Sequence, residues 1–478
     1  MIEAITAGRP RPGDGGRRSF ALVSRSRLVV VLILGVIAAC GGVVATGIAR
    51  RSSTAPGANA IAAALMGPHG VRERPIPATL FGMHTMGLVD RLPIPFGAQA
   101  KSTGTAWPYI ETARGIYDWS TEDAAVAVAT ANRVAPPFHS SDGIPSWATT
   151  DTTTCKRNFS SGALLCSAMM KNIDDWNAFI TAFIKRYKGR MIYELWNEPD
   201  TNNFLGTVND MVTISNREHD IIRRIDPTAL IIAPSGGAPY LDRFFAAGGT
   251  RDVDVVPYHE YNSTPEDVIG TISSIRRVMA KYGLSDKPVW DTEGGWGPIP
   301  YVKSGVDDFP GYVARRYLVE WSLGTERLYW YAWNSDRFGT LANVGNVANP
   351  AGIAFGQIFL WMVGATMSSP CAPNDEVWAC GFTRRGGYQA LAVWDTGGNS
   401  SYVVPTNYRQ CRDLMGNTTI LNPGSTITIG FRPILLENRP MGRSSSINRD
   451  AAALQPPADS GGAGVVSRAS SFCGAGSC

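Results

Sequence analysis

Between residues 78 and 365, short apolar runs alternate with longer amphipathic segments. This alternation is typical of repeated βα units, in which helices join parallel strands. The apolar runs predict eight strands, at 79–84, 98–105, 133–139, 191–195, 230–234, 253–258, 288–291 and 327–333. The amphipathic segments predict helices at 122–132, 173–187, 208–225, 265–282, 311–323 and 354–363. Eight strands in this order predict an α/β fold, a (β/α)8 TIM barrel, in which the second strand is the least apolar.

The pattern changes after residue 365. Short alternating runs, broken by Gly, Asn and Pro, predict antiparallel strands that form a small β-sandwich at 366–437. Residues 438–478 are rich in Ser, Gly, Ala and Arg and show no apolar period, which predicts a disordered tail.

The N-terminal 48 residues consist of a basic segment followed by an uncharged apolar segment. Residues 1–27 are polar and basic, and residues 28–48 contain no charged side chain. About 20 apolar residues span a bilayer, so 28–48 is predicted to be a signal-anchor helix. Basic residues before it favour a cytoplasmic N-terminus and an exported remainder, with 49–77 as a linker. A lipoprotein signal ending at Cys40, in Ile37-Ala-Ala-Cys40, and a cleaved signal peptide stay open as alternatives.

Export permits disulfides. Cys155 with Cys166, and Cys371 with Cys380, would each close a short loop, although Cys411 could replace one partner. No Cys-x-x-Cys motif or cluster of histidines occurs, so no metal or cofactor is predicted. The formal net charge of +4 over 478 residues argues against a nucleic-acid partner.

Two acids follow predicted strands. In Leu195-Trp-Asn-Glu-Pro199, Pro199 has no amide donor and ends the strand, which places Glu198 at its carboxyl end. In Trp290-Asp-Thr-Glu-Gly-Gly295, Glu293 holds the equivalent position. Parallel barrels carry their active sites at this end, and two such carboxyls can cleave a glycosidic bond. The alternative is that Glu198 merely caps the next helix.

The W-N-E-P and T-E-G motifs resemble those of retaining glycoside hydrolases of clan A, most closely family 39. The segment from Trp107 to Trp119 resembles the family's W…IE…G-Y-D-W loop, and the resemblance covers about 79–437. It implies that Glu198 is the general acid/base and Glu293 the nucleophile. It also implies that Asn197 contacts the sugar 2-hydroxyl. The second strand lacks the family's usual arginine.

Other polar and aromatic side chains at strand ends are predicted to bind substrate. His259 or Tyr261 would orient the nucleophile, and Trp333 would floor the sugar subsite, as the family resemblance implies. The complete predicted substrate-binding set is Asn197, His84, Trp107, His139, His259, Tyr261, Trp296 and Trp333. The charge of Glu293 is expected to raise the pKa of Glu198, with the two carboxyl groups about 5–5.5 Å apart.

These features predict a retaining glycosidase that hydrolyses O-glycosidic bonds of a β-linked polysaccharide or oligosaccharide, with an exopolysaccharide as one setting. The predicted anchor would hold the enzyme on the membrane, with its catalytic domain outside the cytoplasm. A transglycosylase would share the same residues. A non-catalytic carbohydrate-binding or assembly protein is the alternative from another class, although it would not need both acids.

Overall fold

The computed structural model describes residues 74–441, apart from 88, 102–104, 158–162, 263, 297–307 and 336–337. The predicted basic N-terminus, the anchor segment 28–48, most of the linker and nearly all of the predicted tail therefore lie outside the described residues. Within the described part of the chain, no helix is both long and apolar enough to cross a membrane.

Eight parallel strands form the barrel, which confirms the predicted fold class. They are β1 (Phe81–Thr85), β2 (Ala98–Lys101), β3 (Phe138–Ser140), β4 (Ile192–Glu194), β5 (Ile231–Ile232), β6 (Val256–Glu260), β7 (Val289–Gly294) and β8 (Thr325–Trp330). Their order in the sheet is β5-β4-β3-β2-β1-β8-β7-β6. A parallel bridge between Ile232 and Val255 joins the two ends of the sheet and closes it.

Among the described residues, helices follow every barrel strand except β1. They are α1 (Ser120–Asn132), α2 (Ile173–Tyr187), α3 (Val208–Ile225), α4 (Ala238–Ala246), α5 (Val268–Lys281), α6 (Phe309–Ser322) and α7 (Pro350–Met362). The sequence pattern did not predict α4, which buries Tyr240, Leu241, Phe244 and Phe245 on one face. Shorter helical turns occur at Ala78–Leu80, Trp107–Ile110, Thr152–Thr154 and Pro265–Asp267.

Side chains alternate along the barrel strands between the barrel interior and the helix layer. The interior is filled by one cluster of buried side chains: Ala98, Ala100, Phe138, Ile192, Ile232, Val255, Trp290 and Tyr329. The residues between them pack outward, as Phe81 does when its ring stacks on that of Tyr317 from α6 at 4.4 Å. Both faces of each strand are therefore buried, and the next inward positions toward the carboxyl ends are polar.

A small antiparallel domain follows the barrel, as predicted. Its strands are β9 (Thr366–Asn374), β10 (Val377–Arg384), β11 (Tyr388–Asp395), β12 (Ser400–Val403), β13 (Gln410–Arg412), β14 (Thr418–Ile420), β15 (Thr426–Ile429) and β16 (Ile434–Glu437). The larger sheet has the order β9-β10-β11-β16-β13-β14, and β12 pairs with β15. Trp394 of β11 donates its indole N–H to Glu266 Oε1 at 3.0 Å, which ties this domain to the barrel.

Hairpins and disulfides shape the loops. Short strands pair at Glu111–Ala113 with Ile116–Tyr117 and at Ala342–Asn343 with Val347–Ala348, while Leu164–Cys166 pairs with both Ile144–Pro145 and Lys156–Arg157. Cys155 is bonded to Cys166, and Cys371 to Cys380, as predicted. These pairings exclude Cys411 as a partner of any of the four.

A buried ion cluster joins α6 to β6 and β7. Arg316 donates to Asp291 Oδ2 at 2.7 Å and also to Glu320, and all three side chains are fully buried. Tyr258 donates its hydroxyl to Glu320 Oε2 at 2.9 Å. Because Asp291 lies two residues before Glu293, this cluster fixes the strand that carries the second predicted catalytic acid.

We expect the change Arg316→Met to reduce the free energy of unfolding by about 3–5 kcal/mol, because it leaves two buried carboxyl groups without a counter-ion. Urea unfolding followed by tryptophan fluorescence would measure the loss. The control is Lys281→Met, which breaks an exposed pair with Asp242 and should cost less than about 1 kcal/mol. Equal losses in the two variants would contradict the role given to the cluster.

Candidate active site

A cavity of about 290 Å³ opens at the carboxyl ends of the barrel strands. Its floor continues the inward alternation of the strands, with polar side chains replacing the apolar ones below. The lining residues are His84, Thr105, Ala106, Tyr109, Phe138, Ser140, Asp142, Leu165, Glu194, Asn197, Glu198, Asn203, His259, Thr292, Glu293 and Tyr331. The two predicted catalytic acids therefore share one cavity.

Strand β7 contains one extra residue at the cavity floor. Consecutive residues Tyr258 and His259 of β6 pair with Asp291 and Glu293 of β7, so Thr292 has no partner in this ladder. An inserted residue of this kind interrupts the alternation of a strand and redirects its side chains. As a result, Thr292 and Glu293 both line the cavity, although they are neighbours in sequence.

Thr292 holds two histidines in place. Its carbonyl oxygen lies 2.8 Å from His84 Nε2, and its hydroxyl lies 3.2 Å from His259 Nε2. Burial lowers the pKa of His84 to about 3, so His84 is neutral and Nε2 carries the proton that the carbonyl accepts. Of these two rings, His84 is neutral and His259 is the one that brings positive charge into the cavity.

The loop after β4 presents Glu198 in an unusual backbone conformation. Glu198 has φ +43°, a left-handed conformation that is rare for a residue with a side chain. Its amide donates to Ser235 Oγ at 3.1 Å, and its carbonyl accepts the Thr201 amide at 3.1 Å. The preceding amide, that of Asn197, donates to the Ser141 carbonyl at 2.8 Å. These bonds hold the strained turn and aim the Glu198 carboxyl into the cavity.

The two acids face each other across a short gap. One carboxylate oxygen of Glu198, one of Glu293 and a ring nitrogen of His259 lie within 4.8 Å of one another. Tyr261 donates its hydroxyl to Glu293 Oε1 at 2.6 Å. His259 Nδ1 lies 2.9 Å from Glu198 Oε1. Thus Tyr261 orients Glu293, and His259 contacts the other acid.

The charges of these groups differ from the expectation. Burial lowers the pKa of His259, but the charge of Glu293 and the hydrogen bond to Glu198 outweigh it and raise this pKa to about 10. Burial raises the pKa of Glu198, yet the hydrogen bond and charge of His259 leave it below its usual range. Burial raises the pKa of Glu293. The expectation that Glu198 has the raised pKa is therefore wrong for the free protein, because His259 contacts Glu198.

The same three residues are the one group of potential metal ligands among the residues that the structure describes. A metal ligand must offer a lone pair. His259 is an imidazolium in this arrangement, with both nitrogens occupied by hydrogen bonds to Glu198 and Thr292. The group fits a proton network better than a metal.

The prediction that His139 and Trp107 bind substrate is wrong, because both side chains face the helix layer. His139 lies on β3 between two inward residues, so its ring packs 4.2 Å from that of Phe183, and Nδ1 contacts Glu122 at 2.9 Å. Trp107 lies in a helical turn after β2 and is fully buried among Trp147, Trp176 and Phe179. Neither side chain reaches the cavity.

Two further predicted residues are also corrected. Trp296 stacks on Tyr312 of α6, with ring centroids 5.4 Å apart. Trp333 is fully buried, and its indole N–H donates to Asn346 Oδ1 at 2.6 Å. Tyr331, two residues earlier, lines the cavity in its place. The structure thus brings together His84, Asn197, Glu198, His259 and Glu293 in the lining, with Tyr261 bonded to Glu293.

The sequence reasoning missed several lining residues. The missed residues on or next to strands are Ser140, Thr292 and Tyr331. Each lies two residues after a side chain that faces the barrel interior, namely Phe138, Trp290 and Tyr329. Strand alternation from Phe138 would have identified Ser140. Asp142 lies on the loop after β3 and carried no recognisable motif. Glu194 also lines the cavity, and its carboxyl accepts the Ser140 hydroxyl at 2.6 Å.

Comparisons with known proteins agree with this geometry. Residues 139–296 match the family model described as cellulase (glycosyl hydrolase family 5), a stretch that contains both Glu198 and Glu293. No curated protein matches the sequence significantly.

Solved structures share the fold. One is a family 39 glycoside hydrolase from Bacteroides cellulosilyticus WH2, with 16% identity, a TM-score of 0.59 and coverage of 77% of this chain and 81% of that one. A family 39 β-xylosidase from Caulobacter crescentus has 15% identity, a TM-score of 0.58 and coverage of 77% and 98%. A family 39 enzyme from Xanthomonas axonopodis pv. citri has 14% identity, a TM-score of 0.55 and coverage of 76% and 95%.

The fold is that of family 39 glycoside hydrolases. The resemblance inferred from the W-N-E-P and T-E-G motifs is thereby confirmed, and residues 139–296 add a similarity to another family of the same clan.

The charge of His259 yields a prediction about stability. Its pKa is about 10 in the folded protein and near 6.5 in the unfolded chain, so folding favours the protonated ring. The stabilisation is complete below pH about 6.5 and disappears as the pH rises through about 10. We therefore expect the difference in unfolding free energy between the parent and His259→Gln to shrink between pH 7 and pH 10.

The matched control is His84→Gln. His84 is neutral in the folded protein throughout this range, because its pKa is about 3, so its difference from the parent should stay nearly constant. Urea unfolding at both pH values measures the two differences. A constant difference for His259→Gln would show that His259 is not charged in the folded protein.

Proposed function

We propose that the protein is a retaining glycosidase, with Glu293 as nucleophile and Glu198 as general acid/base. The observation that supports this most strongly is the approach of one carboxylate oxygen from each acid to within 4.8 Å inside one cavity. Retaining enzymes place their carboxyl groups about 5–5.5 Å apart, whereas inverting enzymes need about 6.5–9.5 Å to admit a water between them.

The first step needs an ionised nucleophile and a proton for the leaving oxygen. Glu293 attacks the anomeric carbon, while Tyr261 holds its Oε1 and the positive charge of His259 opposes the rise in its pKa that burial causes. The bond to the leaving oxygen breaks as Glu198 donates a proton to that oxygen. His259 Nδ1, 2.9 Å from Glu198 Oε1, can supply this proton, since the two groups share one proton between them.

The second step reverses these roles. Once the glycosyl-enzyme has formed, Glu293 carries no charge, and Glu198 is left as a carboxylate. Glu198 then takes a proton from water as the water oxygen attacks the anomeric carbon and the bond to Glu293 breaks. That proton restores the Glu198–His259 pair. Asn197 and His84, which line the same cavity, bind hydroxyl groups of the sugar in this proposal.

The proposed substrate is a β-linked polysaccharide or oligosaccharide, and the proposed location is the outer face of a membrane. The location rests on the uncharged segment 28–48 and its basic flank. An enzyme held there would meet polymer as it leaves the cell, which favours an exopolysaccharide. Because a neighbour in fold is named a β-xylosidase, β-xylosides belong among the substrates tested.

We expect the full-length protein, purified in detergent, to hydrolyse one or more substrates in a panel of β-linked polysaccharides and aryl glycosides. Glu293→Gln should abolish turnover, because it removes the nucleophile. Glu198→Gln should reduce the rate by about 10²–10⁴-fold on substrates with poor leaving groups. On aryl glycosides with good leaving groups the loss should be smaller, because these groups depart without a proton.

The outcomes separate the alternatives. Products longer than the substrate would identify a transglycosylase, which shares the first step. Binding of a polymer by the parent and both variants, with no turnover by any of them, would contradict the proposal and favour a binding protein. The control variant is Glu326→Gln, at the amino-terminal end of β8, which removes a partly exposed carboxylate paired with Arg74 and should leave turnover unchanged.

We also expect Tyr261→Phe to shift the acidic limb of the kcat/KM profile to higher pH. The tyrosine hydroxyl donates to Glu293 and lowers its pKa, so its removal raises the pKa of the free nucleophile. Tyr402→Phe, in the β-sandwich, is the control. An unchanged acidic limb would mean that Tyr261 does not tune Glu293.

A further inference from the structure

Asp142 is a third carboxyl group at the wall of the cavity, and the mechanism above does not use it. It lies two residues after β3 and lines the cavity beside the two catalytic acids. Its main-chain carbonyl accepts the amide of Trp107 at 3.2 Å, and the next residue, Gly143, has φ +63°. A side chain at Gly143 would collide with Leu165, so the turn that presents Asp142 is closely packed.

The Asp142 carboxyl is only partly bonded. The Gly143 amide donates to this carboxyl, but Oδ1 is buried and has no hydrogen-bond partner in the described structure. Glu194, on the cavity floor and 1% exposed, differs from Asp142 because the side chains of Ser140, Thr292 and Ser235 bond to its carboxyl. Buried acceptors of this kind cost free energy until a donor reaches them. The buried Oδ1 of Asp142 at the wall of the cavity therefore indicates a ligand that brings a hydrogen-bond donor.

The charges of the lining residues indicate whether the ligand's hydrogen-bond donor is neutral or positively charged. The carboxyl groups of Asp142, Glu194, Glu198 and Glu293 line it, and no Lys or Arg is among its described lining residues. His259 supplies the positive charge, and it is already committed to Glu198. Burial, and after it the charges of Glu198 and Glu293, raise the pKa of Asp142 to about 7 against the hydrogen bond from Gly143. Among the described lining residues, four carboxyl groups therefore face the single positive charge of His259.

We propose that Asp142 is a specificity-determining residue that binds an amino group on the substrate, so that the cavity prefers sugars with a free amine over their neutral counterparts. This inference rests on the proposed function of the same cavity and names the substrate class, a β-linked polymer that contains unacetylated amino sugars. A sugar ammonium donates to Asp142 Oδ1 and adds a second positive charge beside the four carboxyl groups. A uronic acid would add a fifth carboxylate and is rejected.

The preference follows from the strength of the bonds. A hydroxyl group can also donate to Asp142. Both partners are neutral when the carboxyl is protonated, and only the acceptor is charged when it is ionised. An ammonium stabilises the ionised carboxylate, and the hydrogen bond between them has a charged donor and a charged acceptor. Bonds of this type are stronger than neutral ones. The low dielectric of a buried wall strengthens this difference relative to the same pair in water.

The test compares two tetrasaccharides that differ only at carbon 2, namely β-1,4-linked glucosamine and β-1,4-linked glucose. Their dissociation constants are measured by calorimetry with the full-length protein carrying Glu293→Gln, so that neither sugar is consumed. We expect the amino tetrasaccharide to bind at least ten times more tightly. Adding Asp142→Asn should reduce this ratio about tenfold, while Asp142→Glu, which keeps the charge, should retain part of it.

Asp286→Asn is the charge control, since it removes one exposed carboxylate before β7, at the opposite end of the barrel, and should leave the ratio unchanged. The ratio should fall as salt rises from roughly 0.02 to roughly 0.5 M, because the effect is electrostatic. An equal affinity for the two sugars, no binding of either, or a ratio that Asp142→Asn leaves intact would overturn the inference.

Turnover assays of the parent protein, run beside these binding measurements, separate this inference from the proposed reaction. An Asp142-dependent preference in a protein that hydrolyses nothing would support the amino-sugar site and refute the glycosidase. Hydrolysis of neutral substrates with no preference for the amine would support the glycosidase and refute the amino-sugar site.

Discussion

The hydrogen bond between His259 and Glu198 sets the charge state of the whole cavity. Three further carboxyl groups, on Asp142, Glu194 and Glu293, surround this pair. Carboxylates gathered in a buried space repel one another and take up protons unless a positive charge compensates them. The imidazolium of His259 lowers the pKa of Glu198, Glu293 and Glu194, each against the effect of burial. A nucleophile and an acid can therefore coexist a few ångströms apart.

The position of that imidazolium depends in turn on the extra residue in β7. In a regular strand, alternation would place the neighbours Thr292 and Glu293 on opposite sides. The insertion turns both inward, so that Thr292 can hold His84 and His259 while Glu293 faces Glu198. Below it, Asp291 points outward into the buried cluster with Arg316, which keeps the irregular strand in register with α6. The site thus draws its geometry from a local departure from regular structure.

The fold could be predicted from sequence because apolar runs and amphipathic helices repeat along the barrel. The direction in which individual side chains point could not be predicted from sequence. Both faces of a parallel barrel strand are buried, so His84, which points inward, and His139, which points outward, look alike in sequence. Trp333 and Tyr331 share a phase, but β8 ends at Trp330, and only Tyr331 stays in the cavity. The position of the Asp142 side chain depends on the packing of Gly143 against Leu165, beside the Cys155–Cys166 disulfide. Sequence alone does not reveal this packing.

The central claim is that Glu293 forms a covalent bond with the sugar. The most direct measurement is mass spectrometry of peptides from the full-length protein after reaction with 2-deoxy-2-fluoro β-glycosides, whose glycosyl-enzyme forms faster than it hydrolyses. The account predicts a single sugar adduct on the peptide that contains Glu293, and no adduct in Glu293→Gln. An adduct on Glu198 or another residue, or hydrolysis with inversion and no adduct, would contradict it.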